Sequence, residues 1–240
     1  MSESALKILK GSVPTYTLTL PLTKKRVKYR PFLVKEEKVL LLAVEEGEDE
    51  SIISAIKNLI ESCCEDVEDA GDLPILDLEY LFLNIRAKSV GDNVSTQIRD
   101  EETGEKVSLK IDISKIKPKL PKDFSDLVTI TDQIQMRLTP PTLNMSSNEL
   151  VMGLTSSIED TLDLLRKCII EIITPTEVTS TKDMTDDEIQ SFLDLLSGEQ
   201  FEALSKYFQQ IPELEHKVKY KLSNGKEKSL TIVGLTNFFN

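Results

Sequence analysis

Apolar residues change their period several times along this chain, and each change fixes the kind of element that can form. From Thr15 to Leu20, and again from Arg26 to Arg30, polar and apolar residues alternate, as a strand with one buried face requires. Pro21 to Lys24 separates the two runs with turn-forming residues, so the pair reads as a β-hairpin closed by Pro31. Phe32 to Val44 then carries Val34, Val39 and Leu42 among Lys and Glu in a mostly helical pattern. A second helix is expected from near Glu50, because Ile52, Ile53, Ile56, Leu59, Ile60 and Cys63 repeat with the 3.6-residue period of one buried face. Pro74 suits a first helical turn and predicts a helix over Leu76 to Lys88 that stops at Gly91. Val94 to Arg99 and Val107 to Ile113 flank Thr103-Gly104 and read as another hairpin.

The same order recurs after a Lys- and Pro-rich linker at Lys115 to Lys122. Leu127 to Thr131 and Ile134 to Leu138 form a hairpin ended by Pro140-Pro141. Ile158, Leu162, Leu165, Ile169 and Ile172 follow at helical spacing, as far as Thr174-Pro175. Thr185 with Glu188 and Ser197 with Gln200 are capping boxes, which place helices at Asp186 to Leu196 and Gly198 to Gln210. His216 to Leu222 and Glu227 to Val233 are joined through Asn224-Gly225, a strong hairpin signal. The expectation is an α+β fold of two lobes, residues 1–122 and 123–240, each with β-hairpins flanking several α-helices and related by internal duplication. The expected core contains Ile56, Leu59, Ile60, Leu81, Ile85, Leu162, Leu165, Ile169, Leu193, Leu196, Leu204 and Phe208.

Charge and composition exclude several functions. Forty-one acidic residues against 29 basic ones give a net charge of −12, which repels nucleic-acid backbones and anionic membranes. No run reaches the roughly 18 apolar residues that span a bilayer. Met1 to Ser12 lacks the apolar core of a secretory signal. Cys63, Cys64 and Cys168 are odd in number and do not read as a disulfide framework, so a reducing compartment is expected.

Catalytic ingredients are sparse. His216 stands alone on a strand, and no C-x-x-C pair, phosphate-binding glycine loop, G-x-S-x-G or H-E-x-x-H is present. The acidic segment Asp66 to Asp77 places Asp66, Glu68, Gly71, Asp72 and Asp77 at calcium-loop offsets. Ala70 at the fifth position and Asp77 in place of a bidentate Glu at the twelfth make it an ordinary acidic loop instead. Asp186 and Asp187 are explained by the dipole of the helix they open. No catalytic residue, metal, cofactor or small-molecule substrate is expected.

Four strings are more specific: KYRPFLVKEEK at Lys28 to Lys38, LEYLFLNIRAKSVG at Leu78 to Gly91, FLDLLSGEQFEALSKYFQQIPELEH at Phe192 to His216, and GLTNFF at Gly234 to Phe239. In this order they resemble the baseplate hub assembly family of T-even-type myoviruses, including relatives carried by phages of marine cyanobacteria. The resemblance is weakest over Asp100 to Asn148. It implies participation in building the central hub of the contractile tail's baseplate, in the host cytoplasm, and two readings compete: an assembly factor or chaperone for hub or tape-measure proteins, and a permanent structural subunit of the virion baseplate. It implies other tail and hub proteins as partners and transfers no active site. Candidate contacts follow from physical reasoning. Arg86 and Lys88 lie near a helix end, where they either cap carbonyls and pair with acids or reach a partner. Phe238 and Phe239 cannot both face one side of a strand, so they either fold back on the core or anchor a partner.

Overall fold

The computed structural model describes residues 8–9, 11–100, 102–118, 120–121, 124–145, 158–212 and 214–233. The chain is an α+β mixture with small antiparallel sheets, and it divides into two compact units, Met1–Pro118 with Glu213–Asn240, and Lys119–Pro212.

The first unit begins with strands β1 (Tyr16–Thr19) and β2 (Arg26–Tyr29), paired antiparallel from Tyr16↔Tyr29 to Thr19↔Arg26. Helices α1 (Val34–Glu46) and α2 (Asp49–Cys63) follow as a helical hairpin, then α3 (Ile75–Val90). Gly47, at φ +74°, ends α1 in the left-handed conformation that a side chain would strain, and its N–H reaches Ala43 O at 3.2 Å. All of the stripe read from the sequence but the half-buried Ile53 forms the buried face of α2: Ile52, Ile56, Leu59, Ile60 and Cys63, joined by Ala55.

Two polar anchors tie the β1–β2 hairpin to these helices. The turn places Leu22 N–H at 2.7 Å and Thr23 N–H at 2.9 Å from the Asp77 carboxylate on α3, and the Thr23 hydroxyl donates at 2.6 Å. Asp77 is fully buried, so these donors replace the water it loses. After β2, the Arg30 guanidinium donates to Ser62 O at 2.8 Å, Pro31 O at 2.9 Å and Glu36 Oε1 at 3.1 Å. Burial works to raise the Glu36 pKa, but hydrogen bonds from Arg30, Leu33 and Lys35 outweigh it and hold the carboxyl below its ordinary range.

Strands β3 (Asn93–Arg99) and β4 (Lys106–Asp112) form the next hairpin. Its apolar side, Val94, Leu109 and Ile111, packs with Leu76 and Leu83 of α3. Leu214 and Val218 join the same cluster. These last two residues belong to the C-terminal part of the chain, where β9 (Glu215–Lys221) and β10 (Glu227–Val233) pair antiparallel once the intervening elements have been traversed.

Those intervening elements make the second unit. Strands β5 (Leu127–Thr131) and β6 (Ile134–Leu138) are followed by α4 (Ile158–Cys168), β7 (Ile169–Ile173), β8 (Val178–Ser180), α5 (Asp186–Asp194) and α6 (Gly198–Gln210). The strands form one antiparallel sheet in the order β5-β6-β7-β8. Met136, Leu138, Leu165, Ile169, Leu193 and Leu204 form the centre of its core. Both capping boxes are made: Thr185 N–H donates to Glu188 Oε2 at 2.8 Å and Ser197 N–H to Gln200 Oε1 at 2.8 Å, each side chain accepting the reciprocal amide.

Three expectations change. The helix expected to run through Ile172 ends at Cys168, and Ile169–Ile173 becomes a strand beside β6, because four isoleucines around Glu171 suit a sheet and Arg137 of β6 salt-bridges Glu171 at 2.8 Å. Strand pairing differs between the halves: two separate hairpins in residues 1–122, a four-stranded sheet and one hairpin in residues 123–240, which removes the basis for a duplication. Strands β9 and β10 group with the first unit rather than with the expected 123–240 lobe, since Leu214 and Val218 are buried there. Of the expected core, Leu162, Leu196 and Phe208 are only partly buried; the others are buried.

Candidate protein-binding surface

Helix α1 holds more apolar side chains than one helical face can take. Its inward face presents Leu40, Ala43 and the Glu36 carboxylate to the unit. Four of its other apolar residues are exposed, Val34 at 79%, Val39 at 52%, Leu41 at 60% and Leu42 at 52%, with Leu33 beside them at the helix start. At 100° per residue, Val34 and Leu41 share the outward face, while Val39 and Leu42 lie toward α2. Large apolar groups concentrated on one helix, rather than singly scattered, make this face the candidate interaction surface.

Between α1 and α2 runs an open groove of ≈ 460 Å³. Val39, Leu42, Ala43 and Glu46 line it from α1. From α2 come Glu50 and the small or polar Ser51, Ser54, Ala55 and Asn58. Glu45 and Glu46 occupy the last turn of α1, where the helix dipole is negative and no basic residue offsets them. Asp49 and Glu50 open α2, where the dipole favours them. None of Glu45, Glu46, Glu48, Asp49 and Glu50 makes an ion pair among the described residues.

The residues proposed as contacts from sequence lie elsewhere. Arg86 is half-buried on α3, and its Nη1 is buried without a hydrogen-bond partner among the described residues. Burial pulls its pKa down, against the opposing charge of Glu37 on α1. Lys88 is exposed on α3 with its ammonium 5.3 Å from the Tyr16 ring centroid, a cation–π contact that ties α3 to β1. Phe238 and Phe239 lie outside the described residues. What pattern reading passed over was the surplus on α1: Leu40, Leu41, Leu42, Ala43 and Val44 are consecutive, so no single face can bury them.

The remaining chemical candidates are held in structural roles. Of the acidic segment, Asp66 accepts Lys28 N–H at 3.1 Å and Asp77 holds the β1–β2 turn, so these two carboxylates point to separate partners. His216 sits half-buried on β9 opposite Ile232. All three thiols are buried, and burial pushes their pKa up, to about 11 for Cys63 and about 12 for Cys64 and Cys168.

Another charged cluster joins the tips of two hairpins in the first unit. Asp100 is buried and accepts from Lys228 at 2.7 Å, the Tyr220 hydroxyl at 2.8 Å and the Thr103 hydroxyl at 2.9 Å. The Lys228 bond leads the causes that hold the Asp100 carboxyl far below its ordinary range, and the Asp100 bond likewise raises Lys228. Glu105 adds bonds to Ser223 N–H at 3.0 Å and its hydroxyl at 2.9 Å. Every one of these groups is satisfied within the unit, which makes the cluster a clamp.

Comparison with known proteins matches residues 13–240 to the family described as T4 bacteriophage base plate protein. No curated protein and no solved structure matches the chain.

Proposed function

From the premise that this chain belongs to the T4 bacteriophage base plate protein family, we propose that it is an assembly protein of the baseplate hub, acting through protein contacts rather than catalysis. In this reading it binds hub or tape-measure proteins in the host cytoplasm and keeps their association surfaces from mispairing until the baseplate is nucleated. The observation that supports it is the exposed apolar surface of α1, since large apolar groups held in water are what a protein that works by association presents. Among the described residues, no helix is long and apolar enough to cross a membrane, and no cluster of three metal-ligating side chains forms.

Two measurements test the proposal. Affinity capture of the chain from cells producing the baseplate proteins is expected to recover a hub component; recovery of none overturns the contact reading. Mass spectrometry of purified virions then separates an assembly factor, absent from the particle, from a permanent baseplate subunit, present in several copies.

A further inference from the structure

The geometry points to the α1–α2 groove as the seat of one kind of partner segment: an amphipathic α-helix whose apolar stripe is flanked by Lys and Arg. This rests on the reading that the chain works through contacts with other baseplate proteins, and it specifies the chemistry of one such contact.

Three features argue for this occupant. The walls of the groove are helices, whose backbone amides are satisfied internally, so there is no free sheet edge for a strand to extend; binding must go through side chains laid into the groove. The floor from Val39 to Glu46 on α1 covers about 10 Å, two turns of an incoming helix with anchors at i, i+3 or i+4, and i+7. On the opposite wall Ser51, Ser54 and Ala55 are small enough to let that helix come close.

Charge selects the helix. Glu46 and Glu50 flank the apolar floor, and Glu45, Glu48 and Asp49 adjoin them. A basic partner supplies the counter-charge that the unit leaves out, while an acidic or neutral one leaves like charges crowded around an apolar contact. Ile8 and Leu9 of this chain are themselves exposed, so those two residues do not fill the floor.

The test uses the full chain and two labelled peptides of about 18 residues, long enough to hold a helix. Both carry leucines at helical spacing; one flanks them with lysines, the other with glutamates. By fluorescence anisotropy at low salt, the lysine peptide is expected to bind at least about ten-fold more tightly. Leu42→Asp is expected to abolish binding, and Glu46→Lys with Glu50→Lys to reverse the preference. Circular dichroism verifies that the exposed substitutions leave the fold intact. Equal binding of the two peptides, or an unchanged affinity in folded Leu42→Asp, overturns the inference.

In cells producing the baseplate proteins, a photo-cross-linking residue at Ser54 is expected to mark a Lys- or Arg-rich helical segment of a partner. A cross-link to a second copy of the chain, to its own N-terminal residues or to an acidic segment overturns it. If the chain carrying Leu42→Asp captures hub proteins as the parent does, the contact reading stands and the groove inference falls. If the parent captures none, the contact reading falls and takes the inference with it.

Discussion

Helices α1 and α2 are neighbours of similar length, yet they use their apolar residues in opposite ways. In α2, Ile52, Ile56, Leu59 and Ile60 are all buried, and the rest is mainly Asp, Glu, Ser, Asn and Lys, with Ile53 half-buried among them. In α1, Leu40 and Ala43 are buried while Val34, Val39, Leu41 and Leu42 face water. Both helices form because an apolar face packs on the unit, and one face suffices for that. The apolar residues of α1 exceed what that face can bury, and Val34, Val39, Leu41 and Leu42 are left at least half exposed.

The largest predicted effect lies on the α2 side. Ile60→Ala removes a fully buried side chain and is expected to cost about 2–5 kcal/mol, read as a lower midpoint in denaturant. A cost under about 1 kcal/mol would mean that α2 is no better packed than α1, and the contrast would vanish.

Next comes Asp77→Ala, at about 3 kcal/mol, because it leaves the amides of Leu22 and Thr23 without their charged acceptor. Hydrogen exchange should show the β1–β2 turn opening before α2 does. An unchanged melting point with a protected turn would show that other groups hold it.

Acids provide a second form of the same comparison. Asp100 is matched inside its unit, whereas Glu45, Glu46, Glu48, Asp49 and Glu50 make no ion pair among the described residues. Because Asp100 has its pKa lowered on folding, its contribution is present above the ordinary Asp range near ~4 and is lost as pH falls through the lowered value. Lys228 has its pKa raised, so its contribution is present below the ordinary Lys range near ~10 and is lost as pH rises through the raised value. Asp100→Asn is therefore expected to lower stability at neutral pH and to flatten its decline in acid. A parallel downward shift at all acid pH values would show that Asp100 acts by packing alone.

Much of this architecture was legible in the sequence, for local reasons. Both helices that begin at capping boxes start where Thr185 and Ser197 place them, because a cap is a contact between residues three apart. The hairpin at Asn224-Gly225 is equally local, with Gly225 at φ +85°. What failed needed distant information. Ile169 and Ile172 continue the spacing of Ile158, Leu162 and Leu165, and only the neighbouring β6 makes them a strand. Val178–Ser180 is too short to show a period of its own. That Leu214 and Val218 pack with Leu76 and Leu83, far earlier in the chain, is written in no local pattern. The α1 surface was in plain view as five consecutive apolar residues, but such a run looks like core until the structure shows that Leu41 and Leu42 stay exposed among the described residues.

Smaller still is the effect of Tyr207→Phe in the second unit. The Tyr207 ring stacks on Phe124 at 5.7 Å and meets Phe208 edge-on at 5.3 Å, while its buried hydroxyl has no hydrogen-bond partner among the described residues. Removing that hydroxyl keeps both ring contacts and relieves an unmet donor, so stability is expected to stay level or rise by about 1 kcal/mol. A fall of that size would reveal that a water serves the hydroxyl.

The smallest stability effect, and the sharpest test of the comparison, belongs to Val39→Gln with Leu41→Gln and Leu42→Gln. Gln is at least as good a helix former as Val and nearly as good as Leu, so the substitutions leave α1 helical. Leu40 and Ala43, which pack inward, are untouched. If the exposed residues serve only a partner, the melting midpoint should shift by no more than the equivalent of about 0.5 kcal/mol, against several for Ile60→Ala. Solubility should improve at the same time, since three large apolar side chains leave the surface. Capture of baseplate proteins should drop sharply in the same variant. Loss of stability comparable to that of Ile60→Ala would place these side chains in the fold itself, and the surface on α1 would lose its claim to be a binding site. Full stability with full capture would leave the fold as described and move the search for the contact to other faces of the molecule.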